Sequence, residues 1–155
     1  MRNKEIKNPA PPGKASWLNI VLPSMYFIPV AAAFLLPQNF GFGYPGLVPA
    51  ALAVGLAGLA LWILGTIYLG KSLAVLPGAD RLVVRGIYRY VRHPIYIGIV
   101  FTILGLTVAS GSSFGLTFLI VAVIPLNIVR ARFEEKALLK KFGKDYEAYL
   151  SRTLF

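Results

Sequence analysis

The chain alternates between long stretches without a formal charge and short clusters where charges crowd together. From Ala15 to Gly70 there is no Asp, Glu, Lys or Arg, and a helix needs only about 20 apolar residues to cross the hydrocarbon core. Two spans fit there, roughly Ser16 to Leu36 and Leu47 to Leu69, separated by Pro37 to Pro45. Two shorter apolar stretches follow, Pro94 to about Ala109 and roughly Phe114 to Val129, joined only by Ser110-Gly111-Ser112-Ser113, so they are expected to form a tight helical hairpin. Both are short for a crossing, which requires either a thinned membrane or helices that run past it at one end. The pattern predicts an all-α integral membrane protein of about four transmembrane helices, forming a single membrane domain over 1–155. Within it, 1–14 is a cytoplasmic arm, 15–70 a two-span hairpin and 71–155 a second half that carries most of the charge.

Prolines and glycines punctuate this plan. Pro9, Pro11, Pro12 and Gly13 keep the arm from forming a regular helix, and Pro23 and Pro29 each remove a backbone hydrogen bond, so a kinked first span is expected. The run after Lys14 is longer than a usual signal-peptide core and holds both prolines, which favours an uncleaved span. Gln38 to Pro45 alternates aromatics with glycine and reads as an external turn with interfacial rings. In span two, Ala51, Gly55, Gly58 and Gly65 suit a face where helix backbones approach closely in lipid. Pro77-Gly78-Ala79-Asp80 reads as a turn, and Arg81 to Gly86 is too short to span and is expected on the interface. Pro94 suits a helix's first turn, where its missing N–H would be unpaired anyway. Glu135 to Phe142 continues span four as an amphipathic C-terminal helix that Gly143 ends, and Asp145 to Leu150 adds a short aromatic segment.

Composition agrees with a membrane protein: of 155 residues, 57% are hydrophobic and only 14% charged, and the mean hydropathy is +0.68. The net charge of +10 would suggest nucleic acid in a soluble protein, but its placement argues otherwise. All sixteen Lys and Arg fall in three clusters, Arg2 to Lys14, Lys71 to Arg92 and Arg130 to Arg152. Four crossings would put every cluster, with both termini, on the side that the positive-inside rule assigns to the cytoplasm, as in a cell inner membrane. The basicity then serves topology and anionic headgroups, with membrane lipids rather than nucleic acid as partners. With no cysteine and one histidine, a disulfide framework, a thiolate nucleophile and a zinc or iron site are not expected. No glycine-rich nucleotide loop is recognisable, and Ser110, Ser112 and Ser113 lie across the membrane from His93.

The chemistry concentrates at the cytoplasmic mouth of the hairpin, where His93, Arg92, Tyr88, Tyr96, Arg130, Glu134 and Glu135 collect from two distant segments. Asn127, Arg130 and Glu134, at i, i+3 and i+7, share one helix face. Ionisable groups at a membrane exit are costly unless paired or used, so a functional site stands against a plainer reading, an Arg130 to Glu134 salt bridge on a solvated helix with Arg92 and His93 as flanking cations.

These residues give the chain a resemblance to a superfamily of membrane enzymes, the isoprenylcysteine carboxyl methyltransferases and phospholipid methyltransferases. The matching pattern is Gly86-x-Tyr88, then Arg92-His93-Pro94-x-Tyr96-x-Gly98, a hydrophobic hairpin, then Arg130-x-x-x-Glu134-Glu135, Leu138, Phe142-Gly143, Tyr146 and Tyr149. The resemblance implies methyl transfer from S-adenosylmethionine to a lipid-like acceptor, a prenylcysteine-type carboxylate or a phospholipid amine, at the cytoplasmic face. It makes 71–155 the cofactor-binding half, with Gly86, Tyr88, His93, Pro94, Tyr96 and Glu135 as cofactor-binding residues and Arg130 and Glu134 as catalytic ones. His93 and Glu135 would hold the amino-acid end of the cofactor, and Tyr88, Tyr90 and Tyr96 would face its sulfonium or stack on adenine. Arg130 would orient an acceptor carboxylate or phosphate, and Glu134 would fix Arg130 or accept a proton. Two alternatives stand beside this reading: an NADPH-dependent reductase of the sterol reductase type, which shares the Phe142-Gly143-x-x-Tyr146-x-x-Tyr149 tail, and a non-enzymatic membrane scaffold.

Overall fold

The computed structural model of the chain describes residues 24–36, 46–70 and 82–154. The expected arm, the turns at Gln38 to Pro45 and Pro77 to Asp80, and the start of the first span lie outside them. Helix α1, Phe27–Leu35, begins after a turn in which Ile28 N–H bonds to the Met25 carbonyl. Pro29 therefore falls in the first turn of α1, where no N–H is required, and the turn at Met25 and Tyr26 separates that helix from helical Ser24, an interruption of the kind expected from the prolines of the first span. Helix α2, Leu47–Leu69, has the limits expected from the charge-free stretch. A 3-10 turn at Gly86–Arg89 leads to α3, Pro94–Ser110, with its proline in the first turn.

Gly111, at φ +69, ends α3 and Ser112 caps the next helix by accepting the Gly115 N–H at 3.1 Å. That helix, α4, runs unbroken over Ser113–Phe142, 30 residues. A π-helical turn at Leu119–Val123 precedes Pro125. The wider turn accommodates a residue that cannot donate to the carbonyl four positions back. Gly143, at φ +50, stops α4, and α5, Lys144–Leu150, follows. The described residues contain no strand, only an isolated parallel bridge between Val91 and Leu154.

The expected hairpin of α3 and α4 is present, but α3 packs most extensively against α2. Small residues make that seam: a Cβ on Gly58 would stand 2.6 Å from the Thr102 backbone nitrogen, and one on Gly98 would stand 2.5 Å from that of Trp62. In lipid, such close backbone approach is what dispersion between helices needs. A small core of Ile99 and Ile103 from α3 and Leu119 and Val123 from α4 seals the other side of α3. Elsewhere large apolar side chains face outward, among them Leu56, Ile67 and Val121. α2 and α4 are long and apolar enough to cross a membrane, and neither is enclosed by the rest of the fold as a soluble core helix would be. The 17 residues of α3 reach ~25 Å, short of the hydrocarbon thickness.

Candidate active site

The site begins where the chain turns over the end of α2. Gly86 has φ +61, and a Cβ there would lie 2.4 Å from the Tyr68 ring, so only glycine lets the segment cross that ring. The following 3-10 turn buries Tyr88. The C-terminal segment then clamps this turn: the Tyr149 hydroxyl donates to the Tyr88 carbonyl at 2.7 Å and the Leu154 N–H to the Tyr90 carbonyl at 2.9 Å. Burial pushes the phenols of Tyr88 and Tyr146 well above the ordinary tyrosine range, with the negative charges of Glu134 and Glu135, respectively, adding to it. Burial pushes Tyr149 up to about 12. All three stay protonated at neutral pH, and Tyr149 is thereby kept as a donor.

The clamp and the start of α3 aim Arg92 and His93 at α4. His93 sits at the N-cap position without using its side chain as a cap, which leaves the imidazole for Glu135. One Glu135 oxygen receives both Arg92 Nη1 at 3.2 Å and His93 Nε2 at 3.1 Å. An ionised carboxylate only accepts, so the proton of His93 lies on Nε2 in that pairing. Its Nδ1 is 4.0 Å from Glu134.

Glu134 and Glu135 diverge by about 100° around α4 and so serve different neighbours. Glu134 accepts the Tyr96 hydroxyl. The Tyr96 ring stacks on His93, with centroids 5.8 Å apart, and carries the Arg130 guanidinium 5.4 Å from its centre. Arg130 Nη1 also donates to the Tyr26 oxygen at 3.2 Å, and Tyr26 donates to Asn127 Oδ1 at 2.5 Å.

The structure thus brings Arg92, His93, Tyr96, Arg130, Glu134 and Glu135 into one cluster, with His93 touching both carboxylates. Three of the sequence-identified residues stand in its frame. Gly86 lies against Tyr68, the ring of Tyr88 is buried behind the clamp, and Pro94 is fully buried beside Gly65. Tyr26 was not identified from the sequence. Its only signal is a phenol inside an apolar span, a group that when buried needs a partner.

A family model described as phospholipid methyltransferase matches residues 48–145, about three fifths of the chain. The match takes in α2 from Val48, α3 and α4, hence the whole cluster but not Tyr26 beside it, and ends before Tyr146. No curated protein matches the chain. The chain belongs to the phospholipid methyltransferase family, within the superfamily of membrane methyltransferases that its Arg92-His93-Pro94 and Glu134-Glu135 motifs resemble.

Proposed function

We propose that this protein transfers a methyl group from S-adenosylmethionine to a lipid-like acceptor at the cytoplasmic face, in a four-crossing arrangement with both termini cytoplasmic. The observation that carries the reading is the joining of two motifs more than forty residues apart through one Glu135 oxygen, by Arg92 at 3.2 Å and His93 at 3.1 Å. The residues present suit the cofactor. Arg92 Nε is buried without a partner among the described residues, next to the Glu135 carboxylate. A spare donor beside an anion matches the carboxylate and ammonium of an amino-acid end. Tyr96 supplies aromatic surface for a cation or for adenine, while Gly86, Pro94 and the buried Tyr88 set the backbone around it.

The bound cofactor supplies an already activated methyl group on a sulfonium, so the protein's work is binding, orientation and exclusion of water. His93 and Glu135 hold the amino-acid end of the cofactor. Arg130, held over Tyr96, orients the anionic part of the acceptor. A carboxylate acceptor needs no base, whereas an amine acceptor loses a proton, for which Glu134 is the carboxylate in place.

Calorimetric titration of the purified protein in detergent with S-adenosylhomocysteine and with NADPH tests the reading. Binding of the first, weakened at least tenfold in His93→Ala and nearly unchanged in Arg130→Ala, is expected. Binding of NADPH alone would favour the reductase, and binding of neither by folded protein would favour the scaffold.

A further inference from the structure

We propose that the Asn127 side-chain amide is a donor subsite for an oxygen atom of the lipid acceptor, and that Tyr26, from α1, locks it in the donating orientation. The inference deepens the methyltransferase reading and rests on it for the identity of the occupant as acceptor.

The orientation follows from the hydrogen-bond chain. Arginine only donates, so at 3.2 Å the Tyr26 oxygen accepts from Arg130. The phenol's own proton is then available for Asn127 Oδ1, 2.5 Å away. That contact turns the acceptor end of the amide toward Tyr26 and the Nδ2 hydrogens away from it. Asn127 is 4% exposed, and its Nδ2 has no partner among the described residues. A buried amide donor without a partner is destabilising, and native structures rarely retain one without a use. If the residue served only to hold Tyr26, an acceptor would suffice there. The amide brings two donors as well.

The occupant must bring an acceptor, which an oxygen does and an ammonium does not. Asn127 lies on the same face of α4 as Arg130 and Glu134, ~10 Å along the axis from Glu134 and on its apolar side. An oxygen bound there belongs to the part of the acceptor that enters the hydrocarbon, with Arg130 reaching the same molecule one turn nearer the cytoplasm. Two lipid oxygens fit this chemistry: the amide carbonyl on the nitrogen of an S-prenylated cysteine and the ester carbonyl of a glycerophospholipid.

The test uses the full chain in detergent, labelled with nitrogen-15 at asparagine. The side-chain amide signal missing from Asn127→Asp is that of Asn127. It is expected to move downfield on addition of N-acetyl-S-farnesylcysteine or of dioleoylphosphatidylethanolamine, and whichever probe moves it names the source of the oxygen. Asn127→Asp keeps an acceptor for Tyr26 but removes the donor, so affinity for that probe should fall about tenfold while S-adenosylhomocysteine binds as before. Tyr26→Phe, which frees the amide to turn, should weaken the probe less and leave the cofactor product unaffected. If neither probe moves the signal, or if Asn127→Asp binds the responding probe as tightly as the unaltered protein, the subsite is refuted. Loss of S-adenosylhomocysteine binding in the unaltered protein would instead overturn the methyltransferase reading and leave a lipid subsite standing wherever the amide still responds.

Discussion

Replacing Tyr96 by Phe isolates one bond at the centre of the cluster. Phe keeps the ring that stacks on His93 at 5.8 Å and lies under Arg130 at 5.4 Å, and it removes only the hydroxyl given to Glu134. A hydrogen bond to a charged acceptor is worth about 1.5–3 kcal/mol, and the Glu134 side chain, 27% exposed, is sheltered enough to use most of it. If about 2 kcal/mol of that holds Glu134 in its working position as the transition state forms, the rate falls roughly 30-fold. The assay follows labelled methyl from S-adenosylmethionine into total membrane lipid, with S-adenosylhomocysteine affinity measured in parallel. Turnover should drop by about 10- to 100-fold with cofactor-product affinity within about threefold. Tyr96→Leu, which also removes the ring, should lose both. A Tyr96→Phe protein that turns over normally would show that Glu134 needs no positioning. Equal losses of turnover and affinity would place the hydroxyl in cofactor binding instead.

Two further outcomes follow from the frame. A Cβ on Gly105 would stand 2.4 Å from the Gly55 nitrogen, and backbone cannot rotate away, so Gly105→Val should cost at least ~1–3 kcal/mol and lower the melting temperature in detergent. Gly46→Ala, with nothing within 4 Å and an ordinary φ of −84, serves as the neutral comparison. Tyr149 titrates near 12 in the fold against about 10 when unfolded. A group whose folded pKa is raised contributes its full stability below the unfolded value and loses it as pH rises, so the C-terminal clamp should weaken between about pH 10 and 12. Ultraviolet titration should show a late phenolate step absent from Tyr149→Phe, and an unchanged curve in that variant would rule the assignment out.

The parts of this fold legible in the sequence are those written by charge, proline and glycine. The expected turn ending at Pro45 and the charge at Lys71 delimit α2 at Leu47 and Leu69, Pro94 starts α3 and Gly143 stops α4. Facing was harder to read, because a helix that is apolar on every side has no amphipathic period to say which side meets its neighbour. Only the small residues of α2 marked a seam, and they did not say that α3 lay across it. The π-turn before Pro125 was missed because the widening is a response to that proline within an otherwise uniform apolar run. Tyr26 was missed for a related reason. Its partners are Asn127 and Arg130, a hundred residues later, and no local pattern links them.

That long-range link bears on how the site is divided. Glu134 and Glu135 are neighbours in sequence, yet the helix sends one to Tyr96 and the other to Arg92 and His93. Under the proposed function, α4 connects a cofactor half, built entirely from residues inside the family match, with an acceptor half that ends on Tyr26, outside it. The chemistry of an activated methyl group is the same for every acceptor, so the first half has little reason to differ from one acceptor class to another. The second must fit the acceptor. On the proposed reading it does so through Asn127, which a phenol on the turn before α1 orients, so the choice of lipid would fall on that turn and α4 and the methyl donor on the segment from Gly86 to Tyr96 with Glu135.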